Sequence, residues 1–406
     1  MSLEFNSLTL TGHDRSDEVN TELKKHGVDF ATGLPCGILR HFIYNFDNDS
    51  EILHMPGLNE PEAIGIATGA WLANKTPAIY MQNSGMLKAI NDIGGLMMAS
   101  KAPAIMLVTY RGCPGEDATQ HMITGSITKP LLDELGIKYH DLNETKDIPD
   151  AIDDCFNHMD ETGSPSVLLV KRGWSNEQSS KQNPITVDEL RTKLGLPIGP
   201  KDAMGSALTK IIDYRDGHVV ERDQTLDSIL NLTREQMAVF STTGIMSRYI
   251  FENFDGPNQF YNCGGFGQTS VIASGFAASR EDIQTIAIDG DSSLLTNFGA
   301  LVTNGNRGTK NLTHIVVDNG AYASCSEEKS LSILANIPLV AAIQNYENVF
   351  VADSIKGIER AVEESIEKEG PNFIYMNIEL GGPRNPKRPA DMDYTAARFK
   401  EHFKKI

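Results

Sequence analysis

The sequence reads as an α/β protein made of two parallel-sheet halves joined by a connector. Three observations lead there. Short apolar runs alternate with amphipathic stretches along most of the chain, the pattern of repeated βα units. That rhythm breaks once, from about residue 175 to 222, and then restarts. The chain has 406 residues, more than a single hydrophobic core usually organises.

The elements follow in order. GVDFATGLP predicts a strand ending at Gly33–Pro35, and CGILRHFIYNF a helix after it. EILHMP is strand-like. Asn59 then offers a side-chain oxygen to a helix start, with Glu62 three positions on as a capping-box partner. EPEAIGIATGAWLAN is the helix, TPAIYMQ a strand, IGGLMMA the end of a helix, and APAIMLVTY a strongly apolar strand. SVLLVKRG is expected to close this half. SNEQSSKQNP is polar and reads as a linker. TVDELRTKL and KDAMGSALTKIIDYR read as two helical stretches with no strand between them. The second half contains strands in QMAVFSTTG, NQFYNCGGFGQT, QTIAIDGD, THIVVDNG and FIYMNIEL. Helices through SRYIFENF, VIASGFAAS and LLTNFGALVTNG lie between them. The expected division is residues 1–175, a connector at 176–222, and residues 223–406.

Composition excludes several classes. No apolar run reaches the roughly 18–20 residues of a membrane helix, so no membrane partner is expected. MSLEFNSLTLTGHDRSDE lacks the basic and apolar regions of a secretory leader. The five cysteines are scattered without a CxxC pair, which points to reduced thiols in a cytoplasm. A net charge of −18 argues against nucleic acid as a partner.

The sharpest chemical signal is Gly290-Asp291-Ser292 at the end of one strand and Asp318-Asn319 at the end of the next. One helix and one strand fit between them, so both ends fall on the carboxyl edge of a parallel sheet, where such sheets bind ligands. A carboxylate from Asp291 and an amide oxygen from Asn319 are hard ligands that suit Mg²⁺. Ser292 and Ser293 would open a helix whose free N–H groups face a phosphate. Either piece alone is an ordinary turn; together they indicate a metal–phosphate site.

GDSSLLTNFGALVTNGNRGTKNLTHIVVDNGAY resembles the diphosphate-binding motif of thiamine-diphosphate (TPP) enzymes, with Ser292 in place of the motif's second glycine. The resemblance implies two TPP-binding-type domains, pyrimidine-binding first and diphosphate-binding second. It implies Mg²⁺ held by Asp291, Asn319 and the main-chain carbonyl of Ala321, with Gly290, Ser292, Ser293 and Tyr322 around the cofactor. Asn59-Glu60 before GIATGAWLA is similar to the site of the family's catalytic glutamate, which bonds the aminopyrimidine N1′. From the residues alone Glu62 is an equal candidate. In Asn262-Cys263-Gly264-Gly265-Phe266-Gly267, Gly264 would run beneath the cofactor and Phe266 would bend it. Thr242-Thr243-Gly244 resembles the turn in which Thr243 and Gly244 contact the diphosphate.

GLPCGILRHFI, YMQNSG, TYRGCPGEDATQHMITG, LLDELGIKY and VVDNGAY are similar to the phosphonopyruvate and sulfopyruvate decarboxylases. Two departures stand out: ASCSEEKSLS lacks a Gly-Gly-Gln after Tyr322, and QNSGMLKAIN lacks a second glycine. The resemblance implies Mg- and TPP-dependent decarboxylation of a small anionic 2-oxo acid. The expected reaction converts 3-phosphonopyruvate to phosphonoacetaldehyde and CO₂, within phosphonate metabolism, with sulfopyruvate as the alternative. His121, placed with Glu60 in the catalytic set, together with Arg111 and Lys88 would supply cations for the second anionic group. Asn83 and Ser84 would line the same pocket, and Arg248 opens a later helix. The resemblance implies a homodimer or homotetramer with active sites at the subunit interface. The rivals are a non-catalytic paralogue or regulatory subunit, and a nucleotide-binding oxidoreductase; the latter is disfavoured because no GxGxxG follows a strand.

Overall fold

The computed structural model describes residues 15–115, 119–175, 186–193, 195–197, 199–307, 309–325, 327–383, 385–389 and 391–406. The polar linker at 176–185, residues 116–118 of the GCPGEDATQH stretch and Ser326 lie outside the described residues.

In the N-terminal half six strands form a parallel sheet. They are β1 Phe30–Gly33, β2 Leu53–His54, β3 Pro77–Gln82, β4 Ile105–Thr109, β5 Lys138–Asp141 and β6 Ser166–Val170, in the spatial order β2-β1-β3-β4-β6-β5. Strand side chains alternate between faces, and the core shows it. Ala78, Tyr80, Ile105, Leu107, Leu168 and Val170 join one apolar cluster. Their neighbours Ile79, Met81, Met106, Val108, Val167 and Leu169 join another on the opposite face. Each fully buried Leu or Ile contributes about 1.5–3 kcal/mol, so core packing on both faces holds this sheet.

Asn59 caps the helix Glu60–Leu72, its side chain accepting from the Glu62 N–H at 3.0 Å. Asn59→Ala is expected to cost about 1 kcal/mol, read as a lower urea midpoint at unchanged slope. The Glu62 side chain turns back to accept from the Leu58 N–H at 3.3 Å, one residue before the position a capping box would use.

The second sheet has seven parallel strands: β7 Ile211–Asp213, β8 Ala238–Ser241, β9 Gln259–Tyr261, β10 Thr285–Gly290, β11 Leu312–Asp318, β12 Asn348–Ala352 and β13 Asn372–Asn377. Their spatial order is β7-β12-β13-β11-β10-β8-β9, so β10 and β11 are central neighbours. Ile286, Ile288, Ile315, Val317, Ile374 and Met376 pack to one face, and Val316 and Phe373 to the other.

Three details depart from the sequence reading. The connector is not purely helical, because its last residues form β7, an edge strand paired with β12. Three residues are too few to show a period. Strands β5 and β12 were not anticipated; both are short and follow helices directly. The final helix Met392–Lys405 groups with the N-terminal half rather than with residues 223–391. It buries Phe399 and Phe403, pairs Asp393 with Lys101 at 3.0 Å, and lays the Lys400 ammonium 3.9 Å over the Trp71 ring.

Candidate active site

In the C-terminal unit three separate segments converge on one hydroxyl. Ser293 Oγ accepts from Thr242 Oγ1 at 3.0 Å and from the Gly267 N–H at 3.2 Å. The turn after β8, the loop after β9 and the turn after β10 are thereby tied together. The loop after β9 is internally braced: Asn262 Nδ2 donates to the Gly265 carbonyl (2.6 Å) and Thr269 Oγ1 (2.9 Å), and its Oδ1 accepts from the Gly265 N–H (2.9 Å). Thr243 Oγ1 donates to the Cys263 carbonyl at 3.0 Å, joining the first two segments again.

Glycine is required at specific points here. Gly244 and Gly267 have φ of +91° and +88°, a region that L side chains rarely adopt. At Gly290 the demand is weaker, since a Cβ would meet only the flexible end of Met246, 2.9 Å from Cε. Between these glycines Phe266 stands 41% exposed, with Gly264 two residues before it. An apolar ring left this accessible on a braced loop can be covered by a ligand.

Gly290 pairs in register with Val317, so Asp291 leaves β10 beside Asp318 and Asn319 leaving β11. Asp291 is 4% exposed, and burial raises its pKa above the ordinary carboxylate range. The neighbouring Asp318 charge adds to that rise, while hydrogen bonds from Ser330 and Ser292 oppose it. Asp318 is held by Tyr375 OH (2.7 Å), Ser332 Oγ (2.9 Å) and the Gly320 N–H (2.8 Å). Asn319 Oδ1 accepts from the Ala321 N–H at 2.9 Å, and Gly320 takes φ +66° to make that turn. A divalent cation fits this donor set. It would neutralise a buried carboxylate that its surroundings disfavour, and Asn319 Oδ1 and the Ala321 carbonyl each retain a lone pair. Among the described residues no group of three or more His, Cys, Asp or Glu converges on one point. A site with one carboxylate and two neutral oxygens would not create such a group.

The helix opened by Asp291 spans only Asp291–Thr296, and the Ser293 hydroxyl is already engaged within it. Ser292 Oγ donates to Asp291 Oδ2 at 3.1 Å. Tyr322 is 37% exposed, its N–H bonded to the Glu328 carbonyl.

In the N-terminal unit Glu60 is 8% exposed and rests on the turn after β3. A Cβ on Gly85 would fall 2.2 Å from Glu60 Oε1, so the carboxylate lies directly on glycine main chain. Lys88 Nζ stands 3.7 Å from Glu60 Oε2. Ser84 Oγ accepts from Gln82 Nε2 at 2.5 Å.

Asn83 has a structural role of its own. It is fully buried, and its amide clamps the loop after β4: Nδ2 donates to the Arg111 carbonyl (2.8 Å) and Thr128 Oγ1 (3.0 Å), while Oδ1 accepts from the Arg111 N–H (3.3 Å). It holds Arg111 and the helix Met122–Glu134 in place. His121 stands at the position before that helix with no capping bond from its side chain, and its carbonyl lies where a Cβ on Gly112 would collide.

Several residues escaped the sequence reading. Ser330, Ser332 and Tyr375 are three of them; with Asp318, which the sequence reading named beside Asn319 without giving it a role, they form the frame around Asp291. Arg388 is another. Burial raises the Cys263 thiol pKa, and the Arg248 and Arg388 guanidinium groups oppose that rise. The Lys387 N–H approaches Glu252 Oε2 at 3.4 Å, which brings the Arg388 segment to the helix carrying Arg248. The only signal for it was PKRP, a basic pair between prolines. A cleft lined by Lys129, His140, Asp141 and Asp154 contains none of the expected site residues.

Comparison with known proteins matches both halves. Residues 16–131 match the thiamine pyrophosphate enzyme N-terminal TPP-binding domain, and residues 241–376 the C-terminal TPP-binding domain. The chain is 28% identical over 365 residues to phosphonopyruvate decarboxylase of Streptomyces viridochromogenes, covering 89% of this chain and 88% of that one. It is 24% identical over 391 residues to sulfopyruvate decarboxylase of Methanosarcina acetivorans (93% and 95% covered). Over 126 residues it is 37% identical to sulfopyruvate decarboxylase subunit alpha of Methanothermobacter thermautotrophicus (31% and 76% covered). Benzoylformate decarboxylase from Polynucleobacter necessarius has the same fold, with a TM-score of 0.66 at 11% identity, covering 91% of this chain and 99% of that one. The chain belongs to the thiamine pyrophosphate enzyme family, among the TPP-dependent decarboxylases that include phosphonopyruvate and sulfopyruvate decarboxylases.

Proposed function

We propose that this TPP-dependent decarboxylase converts 3-phosphonopyruvate to phosphonoacetaldehyde and CO₂, with Mg²⁺ holding the cofactor. The supporting observation is the meeting of the turns after β8, β9 and β10 at Ser293, beside the buried Asp291. Bound there, TPP supplies a thiazolium that accepts the electrons released when a 2-oxo acid loses CO₂. The protein's part is to hold and to orient. Asp291, Asn319 and the Ala321 carbonyl would hold Mg²⁺ against the diphosphate, Thr243 and Gly244 would border it, and Phe266 would support the bend between the rings. Glu60, pressed on Gly85, would hold a proton at the pyrimidine N1′. Glu62 is turned to the Leu58 N–H, which favours Glu60 for that role.

The substrate's second anion would be met by Lys88, Arg111 and His121. The phosphonate choice rests on likeness to the Streptomyces enzyme along nearly the whole chain. Phosphonate and sulfonate tails have similar shapes, but a phosphonate carries close to two negative charges near neutral pH and so gains more from each added cation. Pyruvate has no tail to anchor, and binding energy that would orient the reacting carbon is lost. The retained Glu60, Asp291 and Asn319 speak against a non-catalytic paralogue. We also propose a homodimer or homotetramer. The five cysteines are free, which suits a cytoplasmic location. No described helix is long and apolar enough to cross a membrane.

The test is kcat/KM for phosphonopyruvate, sulfopyruvate and pyruvate at fixed Mg²⁺ and TPP. Phosphonopyruvate is expected to lead sulfopyruvate by about tenfold, worth roughly 1.4 kcal/mol, with pyruvate last. A tenfold lead for sulfopyruvate would reverse the choice of substrate. Turnover of none, by protein shown to hold TPP, would sink the assignment.

A further inference from the structure

Glu60 has an ion-pair partner that a proton-sharing glutamate should not keep. Its carboxylate is confined on one side by the Gly85 main chain, where even a Cβ would intrude to 2.2 Å of Oε1. On another side Lys88 Nζ lies 3.7 Å from Oε2. An ammonium at this range attracts the Oε2 oxygen, whereas the role proposed above requires Glu60 to turn to a proton shared with N1′. The two demands conflict for as long as Lys88 stays. It is able to leave. Its side chain is 60% exposed against 11% for Glu60, the separation exceeds hydrogen-bond length, and a half-solvated pair of this kind is weakly held. The lysine also sits in QNSGMLKAIN, where the sequence departs from the family's glycine pattern.

We propose that Lys88 is an anion-controlled counter-ion of Glu60. With no substrate bound it pairs with Glu60. When the anionic tail of the 2-oxo acid arrives, Lys88 swings to that tail and releases Glu60 to the pyrimidine. Substrate and cofactor then bind with positive coupling, and by linkage the coupling is equal in both directions. The flexible four-carbon stem of lysine suits a charge that must change partners. The inference rests on the reading of Glu60 as the N1′ partner.

The test uses the full chain with Mg²⁺ and phosphonoacetate, which carries a carboxylate and a phosphonate but no 2-oxo group to lose CO₂ from. Calorimetry at low ionic strength is expected to show phosphonoacetate tightening TPP binding about fivefold in the wild type. Lys88→Met should bind TPP about fivefold more tightly without the anion, with no gain on adding it. No coupling in the wild type, no binding of phosphonoacetate, or coupling retained in Lys88→Met would each overturn the proposal. A second measurement needs no cofactor. Acetylation of Lys88, followed by mass spectrometry, should be faster in Glu60→Gln than in the wild type, and equal rates would show that the pair does not form in solution. Failure of the underlying reading is distinguishable, because in that case Glu60→Gln would exchange the thiazolium C2 proton at the normal rate.

Discussion

Asp291→Ala is expected to weaken binding of TPP with Mg²⁺ by at least about 100-fold, roughly 2.7 kcal/mol, while leaving the fold intact. The loss follows from position. Asp291 leaves β10 beside the residues leaving β11, and it is the one carboxylate in the proposed metal set. That the fold survives follows from the carboxylate's own cost. Its pKa is raised by burial and by Asp318. Below the ordinary carboxylate range both folded and unfolded chains hold it protonated. As pH rises beyond that range the unfolded chain ionises first, and the cofactor-free fold loses stability until pH passes the raised folded value. At pH 7 the variant lacks this penalty, so without cofactor it should melt no lower than the wild type. Adding Mg²⁺ and TPP should raise the melting temperature of the wild type only. Calorimetric titration and thermal melts at pH 5 and pH 7 check both halves. Unchanged TPP and Mg²⁺ affinity in the variant would show that the site lies elsewhere.

Glu60→Gln should retain bound TPP and slow exchange of the thiazolium C2 proton by at least about 10²-fold, the low end for acid–base catalysis. Glutamine keeps the shape that fits on Gly85 and removes the group able to share a proton. The comparison variant is Glu62→Gln. Glu62 is fully buried, takes part in the helix start through Asn59, and accepts from the Leu58 N–H. Its substitution is expected to lower stability and leave exchange near the wild-type rate. Proton-exchange NMR on the loaded proteins decides between them, and normal exchange in Glu60→Gln with slow exchange in Glu62→Gln would move the role to Glu62.

The parts legible in the sequence are those whose physics is local. Strands β3, β4, β10 and β11 are apolar runs, and β10 and β11 end on Gly290 and Asp318, residues that signal a turn. Asn59 stands immediately before the apolar helix it caps. GDS and DN at the ends of neighbouring strands place two hard ligands on one sheet edge, because parallel strands joined by a helix must end on the same side. The short strands β5, β7 and β12 were not legible. None of them is as uniformly apolar as β4, and each acquires its identity from its partner in the sheet: β5 from β6, and β7 and β12 from the ladder to β13.

Resemblance to the TPP enzymes supplied the cofactor family and singled out Glu60 as a candidate. The residues alone carried the fold class, the two-part organisation and the placing of Asp291 and Asn319 at the ends of neighbouring strands. Such features depend on spacing along the chain, and spacing is what a sequence records. Tertiary structure decided which of these groups have partners. Only packing showed that Asn83 clamps Arg111, that Glu62 faces its own helix start, and that Ser293 joins three turns through one hydroxyl. Only packing assigned the last helix to the first half, because the surface it covers is formed some three hundred residues earlier in the chain by Trp71 and Lys101. The hydrogen bonds and ion pairs involved connect residues far apart in sequence, and no local pattern encodes which distant group a side chain will meet.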